Sequence, residues 1–197
     1  MLDIIIGKGP SARTVQLELP PFTLVSATTR ISLLSSPLRS RFSGGTFRLE
    51  FYTDEEIKTI LERSATLLSV KADDEVLGDI AKRCRATPRT ANYLLKRCRD
   101  LAQLENTELT EEIVNRTFDL LNIDDRGLGQ PDRAVLDVII NKFDGGPVGL
   151  NTIAAATGEE SSTIEDVIEP YLIRQGLLER TPRGRVASPE AYNHIQT

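Results

Sequence analysis

Histidine occurs once and cysteine twice in the 197 residues, with no tryptophan and one methionine, so the side chains that most often hold transition metals are nearly missing. The lone His194 stands near the C-terminus, far in sequence from Cys84 and Cys98, and no metal site is expected. Both cysteines fall on apolar helical faces, where core packing explains them better than a disulfide does. Long apolar runs are absent too: nothing approaches the roughly 18 residues of a membrane span. The opening M-L-D-I-I-I-G-K also lacks the layout of a signal peptide. These absences lead us to expect a cytoplasmic protein with no membrane partner.

A surplus of positive charge is missing as well. The net charge of −5 argues against a surface that embraces nucleic acid throughout, and confines any such site to a patch. Residues 1–53 carry 6 basic and 3 acidic side chains, residues 54–122 carry 11 and 14, and residues 123–197 carry 7 and 12. In that last, acidic segment four of the seven basic residues, Arg174, Arg180, Arg183 and Arg185, crowd into twelve positions. A basic patch on an acidic body is the first candidate site.

At the start of the chain, Leu2 to Ile6 and Thr14 to Leu19 are β-prone, and the G-K-G-P-S-A-R between them suits a hairpin. Its glycines do not make a phosphate loop, which needs G-x-x-x-x-G-K-[ST] between a strand and a helix. Val15 and Leu17 alternate with Thr14, Gln16 and Glu18, so one face is apolar, either to pack on its own sheet or to dock a partner. Phe22 to Ala27 reads as a further strand. Thr28, Thr29 and Arg30 follow where it would leave the sheet, a place where polar groups commonly face a ligand crevice. Pro37 starts a short turn or helix that sends Arg39 and Arg41 to different sides. Phe47 to Tyr52 reads as the last strand.

From there the apolar period switches to that of a helix. Asp54 to Val70 carries Ile57, Ile60, Leu61 and Leu68 on one stripe, with Thr53 or Asp54 to cap it. Asp73 to Arg85 repeats the pattern with Val76, Leu77, Ile80, Ala81 and Cys84. Thr87-Pro88 opens a third helix with an inner face of Ala91, Leu94, Leu95, Cys98 and Leu101, and Thr110 caps a fourth over Glu111 to Leu121. Arg89 lies in the first turn of the third helix, where a cation opposes the dipole unless an anion is shared with the helix amides. A solvated surface explains it equally well on pattern alone. Ile123 to Gln130, acidic and glycine-containing, reads as a linker. Beyond it come a helix over Pro131 to Phe143, the tight loop D-G-G-P-V-G, and a helix over Leu150 to Thr157 ended by Gly158. A third helix is capped by a Ser162/Glu165 box, interrupted at Pro170 and finished at Gly176. Leu177 to Arg180 and Arg185 to Ala187 then read as a two-stranded wing. Three helices and a hairpin make the winged-helix pattern, whose wing arginines are expected to be exposed and unpaired apart from Glu179. Either DNA or a protein is a possible partner for such a wing.

Long runs of the chain resemble one family. L-P-P-F-T-L-V-x-A-T-T-R, S-P-L-R-x-R-F, R-L-E-F-Y, T-P-R-x-A-N-x-L-L-K/R-R, F-D-G-G-P-V-G-L, I-E-D-V-I-E-P-Y-L-I-x-Q-G and R-T-P-R-G-R stand in the order of the RuvB family, bacterial AAA+ motors that drive Holliday-junction branch migration. The resemblance covers essentially the whole chain, whereas the family's chain begins well before the residue aligned with Met1.

That resemblance implies an α/β remnant plus a mainly α remainder. Residues 1–53 would be the C-terminal part of the large AAA+ subdomain with its hairpin, 54–122 the small helical lid, and 123–197 a winged-helix DNA-binding domain. It implies a homo-hexamer that uses ATP, with Mg2+, to act on the duplex arms of a Holliday junction alongside RuvA and, indirectly, RuvC. Arg41 would be the arginine finger, Thr28 and Thr29 the γ-phosphate sensor, Tyr52 and Arg89 nucleotide contacts in cis, Val15 and Leu17 the RuvA-docking face, and Arg180 and Arg185, with Arg183, the DNA contacts. Two departures bear on the finger: Ser40 stands where the family usually has aspartate, and S-G-G-T-F at 43–47 is one residue longer than usual. Without the family's Walker motifs the chain is expected to be inactive alone. The alternative is a non-enzymatic winged-helix module for DNA binding and assembly.

Overall fold

A computed structural model of the chain describes residues 2–7, 9 and 13–195. They fall into two compact units, Met1–Leu49 and Glu50–Thr197.

In the first unit the β-prone runs pair as an antiparallel ribbon of β1 (Leu2–Ile6) and β2 (Arg13–Leu17). Of the expected connection, Lys8, Pro10, Ser11 and Ala12 lie outside the described residues. The register sets Ile4 opposite Val15, so the two share a face with Leu17, two residues along the strand. Each keeps about two-fifths of its surface in water, at 39%, 41% and 42%. Farther along, a 3₁₀ turn at Ile31–Leu33 leads into α1 (Ser36–Arg39), with Pro37 in its first turn as expected. The two further strands do not form: Phe22 to Ala27 and Phe47 to Tyr52 are irregular backbone. β-propensity describes how a side chain fits a pleated surface already there. Among the described residues neither run has a ladder partner, and Phe22, Val25, Phe47 and Leu49 stay largely exposed.

The second unit begins with the four amphipathic helices, α2 (Asp54–Leu67), α3 (Asp74–Arg83), α4 (Pro88–Leu104) and α5 (Glu111–Leu120). Thr53 closes a reciprocal capping box with Glu56 (2.9 and 3.2 Å), and Thr110 accepts from the Ile113 amide. The predicted stripes meet in one core of Ile57, Leu61, Leu77, Ile80, Leu94, Leu95 and Phe118, with Cys84 and Cys98 inside it as free thiols. Burial raises both thiol pKa values, that of Cys98 to about 11.

Residues 123–129, the stretch read as the linker, make an ordered turn. Asp124 accepts from the Arg126 and Leu128 amides at 3.0 and 2.8 Å, and Leu128 is fully buried. A second core, with Leu136, Ile139, Ile153, Ile164 and Leu172, is built by α6 (Gln130–Asp137), α7 (Leu150–Thr157), α8 (Ser161–Thr163) and α9 (Glu169–Arg174). One π turn, Val138–Lys142, extends α6, and another, Ile164–Ile168, joins α8 to α9. That second π turn is how the helix runs through Pro170 where an interruption was expected: widening the turn accommodates a residue with no N–H to donate. The Ser162/Glu165 box does not form either. The helix starts one residue earlier, at Ser161, with Glu160 at the cap position and no side-chain cap bond. The wing forms as read, β3 (Leu178–Thr181) against β4 (Gly184–Ala187), and α10 (Pro189–Ile195), which the apolar period did not announce, closes the domain through buried Ala191.

Candidate functional site

The wing's register places Arg180 directly opposite Arg185. Two like charges facing across a ladder repel each other unless a negative charge lies between them. Here Glu169, 1% exposed, supplies that charge from α9. Its Oε2 accepts from Arg185 Nε and Nη2 at 3.0 and 2.8 Å, while its Oε1 lies 3.6 Å from Arg180 Nη1. Arg180 also donates to Glu165 at 2.9 Å from the π turn. The expectation of unpaired wing arginines is thus corrected. Acids four residues apart on the third helix hold two of them, and Arg185 is itself buried at 8% exposure. Arg174, the first arginine of the patch, lies over the Phe51 ring at 4.7 Å. Only Arg183, at the exposed tip, has no side-chain partner among the described residues. Its backbone is fixed by the Thr181 hydroxyl, which accepts from the Arg183 amide and donates to the Gly184 carbonyl.

The D-G-G-P-V-G loop builds the floor of this wing. Val148 and Arg185 exchange backbone hydrogen bonds at 2.9 and 2.8 Å, so the loop adds a bridge beside β4. Glycine is required at both points of closest approach. A Cβ on Gly146 would strike the Arg185 carbonyl, and one on Gly184 would lie 2.5 Å from the Val148 carbonyl.

In the lid, Thr87 occupies the cap position of α4 but does not cap it. Its hydroxyl instead bonds Thr90 at 2.8 Å, leaving the first amides of α4 without a side-chain acceptor. Arg89, in that first turn, is exposed and makes no ion pair or hydrogen bond through its side chain among the described residues. Helix amides, dipole and guanidinium together suit a phosphate. Tyr52, 43% exposed, belongs to the same unit. Thr28, Thr29, Arg41, Val15 and Leu17 belong to the other. There the Thr28 hydroxyl accepts from the Arg30 amide at 3.0 Å, and Arg41 is exposed in the turn after α1 with no side-chain partner among the described residues.

His194 is not isolated, as its position in sequence implied. Its Nε2 lies 2.8 Å from Asp124 Oδ2, and Asp125 is close by. Asp124 is already engaged by two amides and by Arg133 at 3.5 Å, so this cluster is accounted for as the tie between α10 and the turn before α6.

The third helix of the four-helix bundle thus opens uncapped beside an arginine, in the same compact unit as the winged helix. Models of the Holliday junction DNA helicase RuvB P-loop domain, the RuvB AAA lid domain and the RuvB C-terminal winged helix domain match residues 1–49, 52–124 and 125–196 in turn. The structure of the Thermotoga maritima RuvB Holliday junction branch migration motor is 50% identical, with a TM-score of 0.82 over 89% of this chain and 59% of that one. A point-substituted form of that protein is 49% identical, with a TM-score of 0.83 over 92% of this chain and 61% of its own. The chain belongs to the RuvB family, and it spans about three-fifths of the length of these relatives.

Proposed function

We propose that the chain is the C-terminal portion of a subunit of an ATP-driven hexameric motor that moves Holliday junctions in DNA recombination and repair. Residues 1–53, 54–122 and 123–197 act in it as the end of the large ATPase subdomain, the lid and the DNA-binding domain. One observation carries this reading: a single compact unit holds both a phosphate-ready helix start with Arg89 and a wing tip with Arg183, each guanidinium unpartnered among the described residues.

ATP, with Mg2+ held by a preceding P-loop portion, supplies the phosphoryl chemistry. This chain's residues sense it. Arg89 and Tyr52 contact the nucleotide in cis, Thr28 and Thr29 report the γ-phosphate, and Arg41 reaches the ATP of the next subunit to stabilise developing charge. RuvA docks on the Val15/Leu17 face of the ribbon, and RuvC meets the motor only through the junction. By itself the chain turns over no ATP, since G-x-x-x-x-G-K-[ST] does not occur in it.

DNA contact falls to the wing. The third helix of the domain exposes Ser162, Glu165, Asp166 and Val167, an anionic face that repels phosphates, so it does not enter a groove to read bases. Arg183 meets the backbone directly, and Arg180 joins it by exchanging Glu165 for a phosphate. Arg185 contributes by holding the wing through Glu169. A guanidinium-to-phosphate contact carries no sequence information, which suits a motor that crosses every sequence.

The test fuses the P-loop portion of the Thermotoga maritima protein ahead of Met1 and measures ATP turnover. Arg41→Ala is expected to lower it by about 10³ with nucleotide binding kept, and a loss smaller than about threefold overturns the finger assignment. Arg89→Ala is expected to weaken nucleotide binding in titration calorimetry; unchanged affinity and turnover would return it to the solvated surface.

A further inference from the structure

Three residues separate the candidate nucleotide sensor Arg89 from a second arginine whose setting is the opposite. Arg85 follows Cys84 at the end of α3, and both it and Ala86 adopt left-handed backbone, at φ 59° and 52°. Non-glycine residues seldom take this conformation, and two in succession are held there only by surrounding contacts. The contacts come from the winged helix. Arg85 Nη1 donates to both carboxylate oxygens of Asp132 at 3.1 and 2.9 Å, and Asp132 is 1% exposed. Arg85 Nη2 donates to the Val167 carbonyl at 2.9 Å, inside the π turn that carries Glu165. The guanidinium carbon lies 4.3 Å from the centre of the Tyr171 ring, whose hydroxyl donates to the Arg126 carbonyl at 2.7 Å. Beneath this, Gly127 leaves no room for a Cβ, which would lie 2.6 Å from the Arg83 carbonyl and 2.9 Å from the Tyr171 hydroxyl.

We propose that Arg85 is a coupling residue: it clamps the lid to the winged helix as one rigid arm, so that movement at the start of α4 reaches the helix that holds the wing. The placement suits this role. The α3–α4 turn has the sensor at its far end and the clamp at its near end, and the clamp grips the same helix whose Glu165 and Glu169 hold Arg180 and Arg185. The rigid-arm part stands on geometry alone, and the coupling part rests on the motor reading above.

Two measurements test it. In the 197-residue chain, nitroxides at Lys96→Cys and Glu190→Cys, exposed positions on the lid and on α10, are expected to give one narrow distance distribution by pulsed electron resonance. Arg85→Ala, and Asp132→Asn as a gentler variant in case the first fails to fold, are expected to broaden it, with far-UV circular dichroism unchanged. A distribution that stays narrow in the folded variants overturns the clamp. In the N-terminally completed chain, Arg85→Ala is expected to keep ATP turnover and lose the ATP-dependent change in duplex affinity. Retention of that change overturns the coupling role. If the completed parent shows no ATP-dependent change, the motor reading fails instead, while the resonance result still decides the clamp.

Discussion

The lid and the first 49 residues are both rich in apolar side chains, but only the lid buries them. Ile57, Leu61, Ile80, Leu94, Leu95 and Phe118 reach zero exposure in the lid, whereas Phe22, Leu24, Val25, Phe47 and Leu49 remain more than half exposed. A helix satisfies its own backbone and needs only a neighbouring stripe, which the next helix in sequence supplies. A strand needs a ladder partner before its side chains have a surface to pack on, and the partner can lie far away in sequence. The difference shows which part of the chain carries its folding information locally.

The largest effect that sharpens this contrast comes from matched truncations. Phe118→Ala is expected to cost about 3–5 kcal/mol, as a fully buried aromatic leaves a cavity, and Phe22→Ala less than about 0.5 kcal/mol. Urea unfolding of the 197-residue chain checks both, and equal costs would erase the contrast. A similar test separates the wing's own arginines. Arg185→Ala strands the buried Glu169 carboxylate and is expected to cost about 3–5 kcal/mol, while Arg183→Ala, at an unpartnered tip, should leave the melting temperature unchanged.

A smaller effect appears at high pH. Cys98 titrates near 11 in the folded lid because burial disfavours the thiolate, above the ordinary thiol value of 9.0. The folded value is the raised one, so stability is full below pH 9 and is lost as pH rises from there through 11. Melting temperatures should be flat up to pH 8.5 or so and then fall, and Cys98→Ser should blunt the fall. The smallest effect on the fold belongs to the ribbon. Val15→Ser with Leu17→Ser should leave the melting temperature nearly unchanged and abolish co-elution with RuvA; if co-elution persists, those side chains serve the ribbon's own packing.

Much of the second unit was legible in the sequence because its signals are local. The Thr53 and Thr110 caps, the stripes of α2 to α5, the Gly158 stop and the two-stranded wing were all read from residues within one element of each other. What was not legible depends on pairing across the fold. Glu165 and Glu169 stand four apart in I-E-D-V-I-E-P, which hinted at one helical face, but only the register of β3 against β4 brings Arg180 and Arg185 together above them. The left-handed backbone at Arg85 has no sequence signal, since nothing in R-C-R-A-T-P favours it. Pro170 misled because a π turn, which leaves no residue pattern, absorbs the missing donor. Of the candidate site, residue types and the Arg183 tip were readable, whereas the pairing that leaves Arg183 free and Arg185 occupied was not.

The central claim is that the wing holds duplex DNA by its backbone through arginines at the tip. Fluorescence anisotropy of the 197-residue chain on two duplexes of unrelated sequence, across a salt series, tests it most directly. Arg183→Ala is expected to weaken binding equally on both duplexes and to reduce the slope of log K against log salt by about one. A variant that keeps the parent's slope, or that loses affinity on one duplex only, would contradict the claim and move the DNA site elsewhere.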